Sequence, residues 1–299
     1  MEEAEFDVLD IRYGPMTRTF ITNTDRTSIG VFTAYTYPLR PDLRLTGGLR
    51  YDDPDDFDGE LTFSAGLEKD ISPKTQFHIH YGRGAGFPIP TTGDIAADNI
   101  PPVERSHHVD LGWTVRPNAD RIAGLSLFWS DVSDGSVLYN DPPGAIGPDA
   151  WLSKVEDIET YGLEFTYQQR FDGGEWFANY TYMERDVTNN NSPAIPGTAY
   201  PNLESPPENL ATAGVRIANG GTRYALTGRW AESYLAQNRL MSTAYPVDSF
   251  VVFNLKVTQQ MGGGELAVLV DNLFNASYET MPAFPRPGRN YLFSYSQAF

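Results

Sequence analysis

The sequence predicts an all-β protein, an antiparallel transmembrane β-barrel of which about 14 strands are present. Three observations carry that prediction. Apolar and polar residues alternate with a period of two through segment after segment, so each strand has one face suited to lipid and one suited to water. The face opposite the apolar one carries Arg, Glu, Lys and His, and a soluble β-sandwich has no means of burying so many charges. The connections alternate between tight turns near residues 40, 72, 118, 173, 220 and 262 and longer loops near 55, 95, 145, 198, 240 and 281. Outer-membrane barrels have this asymmetry between their two ends.

Composition narrows the function. The chain has 299 residues, a length that all-β barrels reach as one unit. No apolar run approaches the length of a spanning helix, and Leu266-Ala267-Val268-Leu269-Val270 is the longest aliphatic stretch near the C-terminus. A mean hydropathy of -0.38 with 13% aromatic residues suits barrel strands, whose hydropathy signal is weak. The formal charge of -17 argues against nucleic acid as a partner. The absence of cysteine removes thiolate metal sites and sulfur nucleophiles. Met1-Glu2-Glu3-Ala4-Glu5 is acidic and lacks the pattern of a secretory signal.

The first 27 residues give only weak strand signals, near Phe6 to Arg12 and Thr17 to Thr22. From Ser28 to Pro38, Ile29, Val31, Thr33, Tyr35 and Tyr37 share a face, and after the turn at Arg40-Pro41-Asp42 a strand runs from Leu43 to Tyr51. Asp52-Asp53-Pro54-Asp55-Asp56-Phe57-Asp58 reads as a solvated acidic loop, since its spacing lacks an EF-hand frame. Strands follow from Glu60 to Asp70 and around Phe77, Ile79 and Tyr81, then a loop from Ala85 to Arg105. His107 to Arg116 and Ile122 to Ser130 form a hairpin, and Asp, Pro and Gly make the stretch to about Glu156 read as irregular. Tyr161, Leu163, Phe165 and Tyr167 mark the next strand, Asp172-Gly173-Gly174 a hairpin turn, and Glu175 to Val187 its partner. After a loop to Pro207, strands are expected over Leu210 to Ile217, Thr222 to Ala231 and around Val251 to Val257. Tyr35, Tyr37, Tyr51, Trp113, Trp129, Trp176 and Trp230 lie near strand ends, where amphipathic rings favour a membrane interface.

The closing stretch begins at Leu266 and reaches Asp271-Asn272-Leu273-Phe274-Asn275-Ala276-Ser277-Tyr278, a Pro-rich excursion with Pro285-Arg286-Pro287-Gly288-Arg289, and an alternating strand ending at Phe299. This segment resembles the C-terminal signature of TonB-dependent outer-membrane receptors. Supporting stretches are Thr46 to Asp52, Tyr81 to Pro88, Glu104-Arg105-Ser106 leading to Asp110-Leu111-Gly112, and Tyr161-Gly162-Leu163-Glu164. The resemblance covers about residues 28 to 299. It implies a place in the outer membrane of a Gram-negative bacterium, contact with outer-membrane lipid and lipopolysaccharide, and a roughly 22-stranded barrel filled by an N-terminal plug. It also implies energy-coupled uptake of a scarce ligand such as a siderophore-iron complex, cobalamin, a metal or a glycan. The sequence departs from the pattern in having no plug, and coupling to the TonB complex runs only through that plug. Residues 1–299 are therefore expected to be the C-terminal part of such a barrel, with 1–27 uncertain.

Candidate sites follow from the strand faces. His78 and His80 share the polar face, and His107 and His108 open the next strand, so these four imidazoles are candidates for a transition-metal cluster at the loop end. Ordinary lining of a wet lumen is the plainer account of them. His80, His107, His108, Arg50 and Arg229 are the candidate ligand contacts, and the inward cations Arg44, Arg50, Arg223, Arg229 and Lys256 suit either an anionic ligand or contact with a plug, of which the resemblance favours the second. Loops near 85–105, 139–156, 188–207, 232–248 and 275–289 are expected to capture ligand, and their aromatic and acidic composition leans toward neutral or cationic cargo. No resident cofactor is implied, and no local motif suggests an enzyme. The alternatives are a stand-alone passive pore and a fragment unable to close its barrel.

Overall fold

The computed structural model describes the backbone of residues 2–4, 9–13, 16–20, 26–88, 100–140, 151–191, 206–236 and 245–297. It describes side chains over 26–88, 100–136, 156–188, 206–236 and 245–297. The front of the chain gives β1 (Glu2–Ala4), β2 (Leu9–Tyr13) and β3 (Met16–Phe20), the last two paired as a small hairpin. Then come β4 (Arg26–Arg40), β5 (Leu43–Pro54), β6 (Glu60–Ser72), β7 (Thr75–Gly86), β8 (Glu104–Asn118) and β9 (Arg121–Asn140). Next are β10 (Trp151–Phe171), β11 (Gly174–Asn191), β12 (Asn209–Asn219) and β13 (Thr222–Ala231). The chain continues through β14 (Tyr234–Ala236), β15 (Tyr245–Val247), β16 (Phe250–Met261), β17 (Gly264–Asp271) and β18 (Asn290–Gln297).

Fourteen strands form one antiparallel sheet in the order β1-β4-β5-β6-β7-β8-β9-β10-β11-β12-β13-β16-β17-β18. Apart from the β14–β15 ribbon, each strand from β4 onward pairs with the next along the chain. The sheet is open: among the described residues no pairing joins its β18 edge to its β1 and β4 edge.

Register keeps the apolar face continuous. Across successive strands Leu49 meets Phe63, Leu67 meets Ile79, Ile79 meets Leu111, Leu111 meets Leu127 and Leu127 meets Leu163. A slip of one residue in any pair would send that strand's apolar set to the wet side, so the alternation fixes the pairing. Aromatic pairs mark the same face, with ring centroids 5.2 Å apart for Phe77 and Trp113 and 4.5 Å for Tyr167 and Trp176. Ile29, Val31, Tyr35 and Phe293 are all more than half exposed. That is what a membrane wall requires, because lipid takes the place of a protein core.

The tight turns lie where the sequence places them, at 41–42, 73–74, 119–120, 172–173, 220–221 and 262–263. Gly262 and Gly263, at φ 57° and 82°, make a two-residue turn of the kind that matches strand twist. Pro38 falls beside the register shift in β4, where its missing N–H does least damage to the ladder.

The loops are the main departure from expectation. Residues 131–140 and 151–156, expected to be irregular, continue β9 and β10 as a long hairpin beyond the expected strand ends. The ladder there absorbs an irregularity near Asp134, which sits at φ 60° with its N–H donated to Asp157 Oδ1 at 3.0 Å. The ends of β7 at Gly86 and β11 at Asn191 likewise run past the expected loop starts.

Candidate functional site

The polar face and the loop rim are the two places where this wall can meet a solute. On the polar face near the tight turns, cations are matched by carboxylates. Arg44 reaches Glu68 at 2.8 Å and Asp70 at 3.5 Å, Arg216 pairs with Glu175 at 2.5 Å, and Arg223 pairs with Glu265. At the turn itself, Lys69 donates to Asp42 at 2.5 Å and holds that carboxyl below its ordinary range. A cavity of about 530 Å³ at this end is lined by Arg170, Arg216, Arg223 and Lys256 together with Glu175 and Glu265.

The loop rim of the front strands is tied by charge. Arg26 donates through Nε and Nη2 to Asp56, at 2.8 Å each, and also bonds the carbonyls of Phe87 and Pro88. Its guanidinium lies 5.1 Å from the ring centre of Phe57, whose ring is 6.1 Å from that of Phe87. Glu60, only 8% exposed, accepts from Arg83 at 2.9 Å and from Arg105, which also approaches Asp134 at 3.8 Å. The acidic loop is solvated as expected, with Asp53, Asp55, Asp56 and Asp58 exposed, and it is also tied to its neighbours. Arg50 grips Asp52 at 2.6 Å, Asp55 accepts the N–H of Thr27 at 3.2 Å, and Asp56 belongs to Arg26. Sequence reading missed Arg26, Glu60, Arg83 and Arg105, because their partners lie at least 23 residues away and nothing local signals them.

The four imidazoles do not assemble into the expected cluster. His78, His80 and His108 lie on the polar face, whereas His107, one residue along the strand from His108, falls on the other. His78 Nε2 bonds Asp110 at 2.6 Å, and Ser126 donates to the other oxygen of that carboxylate. His107 Nδ1 bonds the Tyr81 hydroxyl at 2.7 Å under a stacked ring. Among the described residues, no group of three or more His, Asp or Glu side chains is placed to hold a metal ion. Of the candidate ligand contacts, Arg50 is engaged by Asp52, while Arg229 stands exposed on the polar face of β13.

The closing motif forms a knot at the loop end of the last strands. β17 stops at Asp271, and Asn272, 3% exposed, turns the chain at φ 51°. Its side chain donates to the carbonyls of Ala276 and Pro287, at 2.8 and 3.3 Å, and accepts the Ala276 N–H at 2.7 Å. The Leu273 N–H returns to the Phe253 carbonyl, and Phe274 meets Phe253 edge-on at 5.3 Å. Asn275, at φ 56°, accepts the Arg289 N–H at 2.9 Å. A Cβ at Gly288 would lie 2.6 Å from the Asn275 amide oxygen, which is why glycine stands there.

Pro285 bridges Glu279, and the Arg286 N–H bonds the Tyr278 carbonyl. Tyr278 packs its ring 4.8 Å from Phe250 and joins a cluster with Ala231, Val252, Leu210 and Tyr234. The loop is thereby folded back over the polar face of β13 and β16, and it makes a buried apolar core there. Phe299, which ends the motif, lies outside the described residues.

A family model described as "TonB dependent receptor-like, beta-barrel" matches residues 3–273. The chain belongs to this family. The copper transporter OprC has the same fold, with a TM-score of 0.70 at 19% identity over 89% of this chain and 47% of that one. The FrpB iron transporter from Neisseria meningitidis gives 0.69 at 17% identity, over 90% of this chain and 44% of that one. A ferric enterobactin receptor, PfeA, from Pseudomonas aeruginosa gives 0.69 at 17%, over 92% of this chain and 45% of that one. This TonB-dependent receptor chain therefore spans less than half the length of each of these structures. No curated protein sequence matches it. Its family and its structural neighbours are transporters and receptors rather than enzymes.

Proposed function

We propose that the chain is the C-terminal part of an outer-membrane receptor barrel that takes up a scarce small ligand in an energy-coupled cycle. The observation that carries this reading is the wall itself, one apolar face and one charged face held in register across fourteen strands, in a chain of this family. The fold neighbours named as copper and iron transporters and as a ferric enterobactin receptor support a metal or a metal chelate as cargo. In this reading the remaining strands, the plug and the contact with the TonB complex come from sequence outside residues 1–299. The apolar face meets outer-membrane lipid and lipopolysaccharide. The loop rim is the capture surface, with Arg26 and Glu60 fixing its front and the Asn272 knot its back. His80 and His108, directed to the polar face, are the proposed contacts for a ligand passing below the rim.

The test has two parts. Membrane fractionation of the source bacterium should recover the protein with the outer membrane. A strain lacking the gene should grow normally in rich medium but fail when iron or copper is supplied only as a dilute chelate, with rescue by the gene and loss of rescue when the TonB complex is disabled. Steady conductance in planar bilayers, with uptake indifferent to that complex, would sink the receptor reading in favour of a passive pore.

A further inference from the structure

We infer that the polar face carries an oxyanion-binding site centred on Arg229. The register places Asn179, Thr212, Arg229 and Val252 on one rung across β11, β12, β13 and β16. Around that rung is a cavity of about 300 Å³ lined by Asn179, Thr181, Leu210, Ala211, Thr212 and Arg229. The lining offers one guanidinium, two hydroxyls and one carboxamide, and no carboxylate. A planar fork of N–H donors flanked by neutral hydroxyl and amide donors matches a carboxylate or a phosphate, whose charged oxygens accept hydrogen bonds.

Arg44, Arg216 and Arg223 each hold a carboxylate, whereas Arg229 has no ion-pair partner among the described residues. Arg170 and Lys256 likewise make no ion pair among the described residues, but they share their cavity with Glu175 and Glu265, whereas the cavity of Arg229 has no carboxylate in its lining. Asp271, on the same face, stands two strands away and one residue pair along, about 12 Å between backbones, and Glu164 three strands away, about 14 Å or more. Neither makes an ion pair with Arg229, although Glu164 is the cross-strand partner of Thr181 at the edge of the cavity. Above it, Val252 belongs to the apolar cluster under the Tyr278 loop, and Tyr234 in that cluster lies close enough to feel the Arg229 charge. The cavity therefore adjoins the folded-in loop through Leu210, while the Arg229 side chain itself remains open to solvent on the polar face. In a chain of formal charge -17, a cation with no ion-pair partner among the described residues selects its ligand by sign. This runs against the neutral or cationic cargo suggested by loop composition.

The inference requires only that the polar face be wet, not that the protein perform uptake. The full chain in detergent should be titrated by calorimetry with citrate and, separately, with inorganic phosphate. Binding of either probe is expected, weakened about tenfold in Arg229→Gln, partly restored in Arg229→Lys, and unchanged in Arg44→Gln, which lies on the same face but far along the strand order, on β5. Thr212→Val should weaken it less. Retention of cooperative melting by Arg229→Gln separates lost binding from lost folding, and Thr212→Val supplies the same comparison if Arg229→Gln fails to fold. Equal affinity in wild type and in these variants would overturn the site. So would an absence of binding to wild type, and in that case a lower melting temperature in Arg229→Gln would show the arginine serving an acidic side chain of the protein's own.

Discussion

Two loop regions, around Arg26 and Glu60 at the front of the sheet and around Asn272 at its back, are tied down by different chemistry. At the front, Arg26 binds Asp56 and two carbonyls, and Glu60 collects Arg83 and Arg105, so the fixing bonds run between charged groups that begin on different strands. At the back, one buried neutral amide satisfies a donor and two acceptors of its own loop, and a second amide at Asn275 repeats the device. The ionic ties reach further along the chain and act through charge, which salt and acid both weaken, most where the pair is open to solvent as Arg26 with Asp56 is. The amide knot is local and insensitive to both. A capture rim built this way has one side that responds to its medium and one that does not.

Breaking the knot should have the largest effect. Asn272→Ala strands buried partners and leaves a residue with a Cβ at φ 51°, so unfolding in urea from detergent should show a loss of about 3 kcal/mol. Asn272→Gly keeps the backbone conformation and should lose less. Glu60→Gln leaves Arg83 and Arg105 without their carboxylate and should cost about 2 kcal/mol in the same measurement. Arg26→Gln should cost about 1 kcal/mol at low salt. Raising salt from about 0.05 to 1 M should shrink the Arg26→Gln difference and leave the Asn272→Ala difference as it was, and equal shrinkage of both would erase the distinction between the two regions.

The smallest effect concerns Asp42 at a tight turn. Its folded-state pKa is depressed by the hydrogen bond from Lys69, so its contribution is present above the unfolded value of about 3.9 and fades as pH falls through the lower folded value. Lys69→Met should flatten that acid limb by slightly lowering stability near neutrality while leaving stability at the most acid end unchanged.

What could be read from the sequence is what has a short period. Alternation at Leu61, Phe63, Ala65 and Leu67 reports the two faces directly, and the tight turns announce themselves in Asp172-Gly173-Gly174 and Asn219-Gly220-Gly221. The extended hairpin of β9 and β10 was hidden, because Asp131-Val132-Ser133-Asp134-Gly135-Ser136 has a loop's composition and is held as strand only by the ladder partner it meets. The candidate site was legible in residue type but not in pairing. Arg44, Arg223 and Arg229 look alike in sequence, and only the register across neighbouring strands reveals that two hold a carboxylate while the third makes no ion pair among the described residues. For the histidines, adjacency along the chain misled, since His107 and His108 face opposite ways.

The strand order has a kinetic meaning as well. From β4 onward each strand finds its neighbour either across a turn of a few residues or across one loop, so the sheet has no crossover in which distant segments must meet before nearby ones gain anything. Closing each hairpin carries a small entropic cost that rises only slowly with loop length. A wall with this low contact order grows by adding one hairpin at a time to an existing edge, and each addition completes the apolar face of the strand before it.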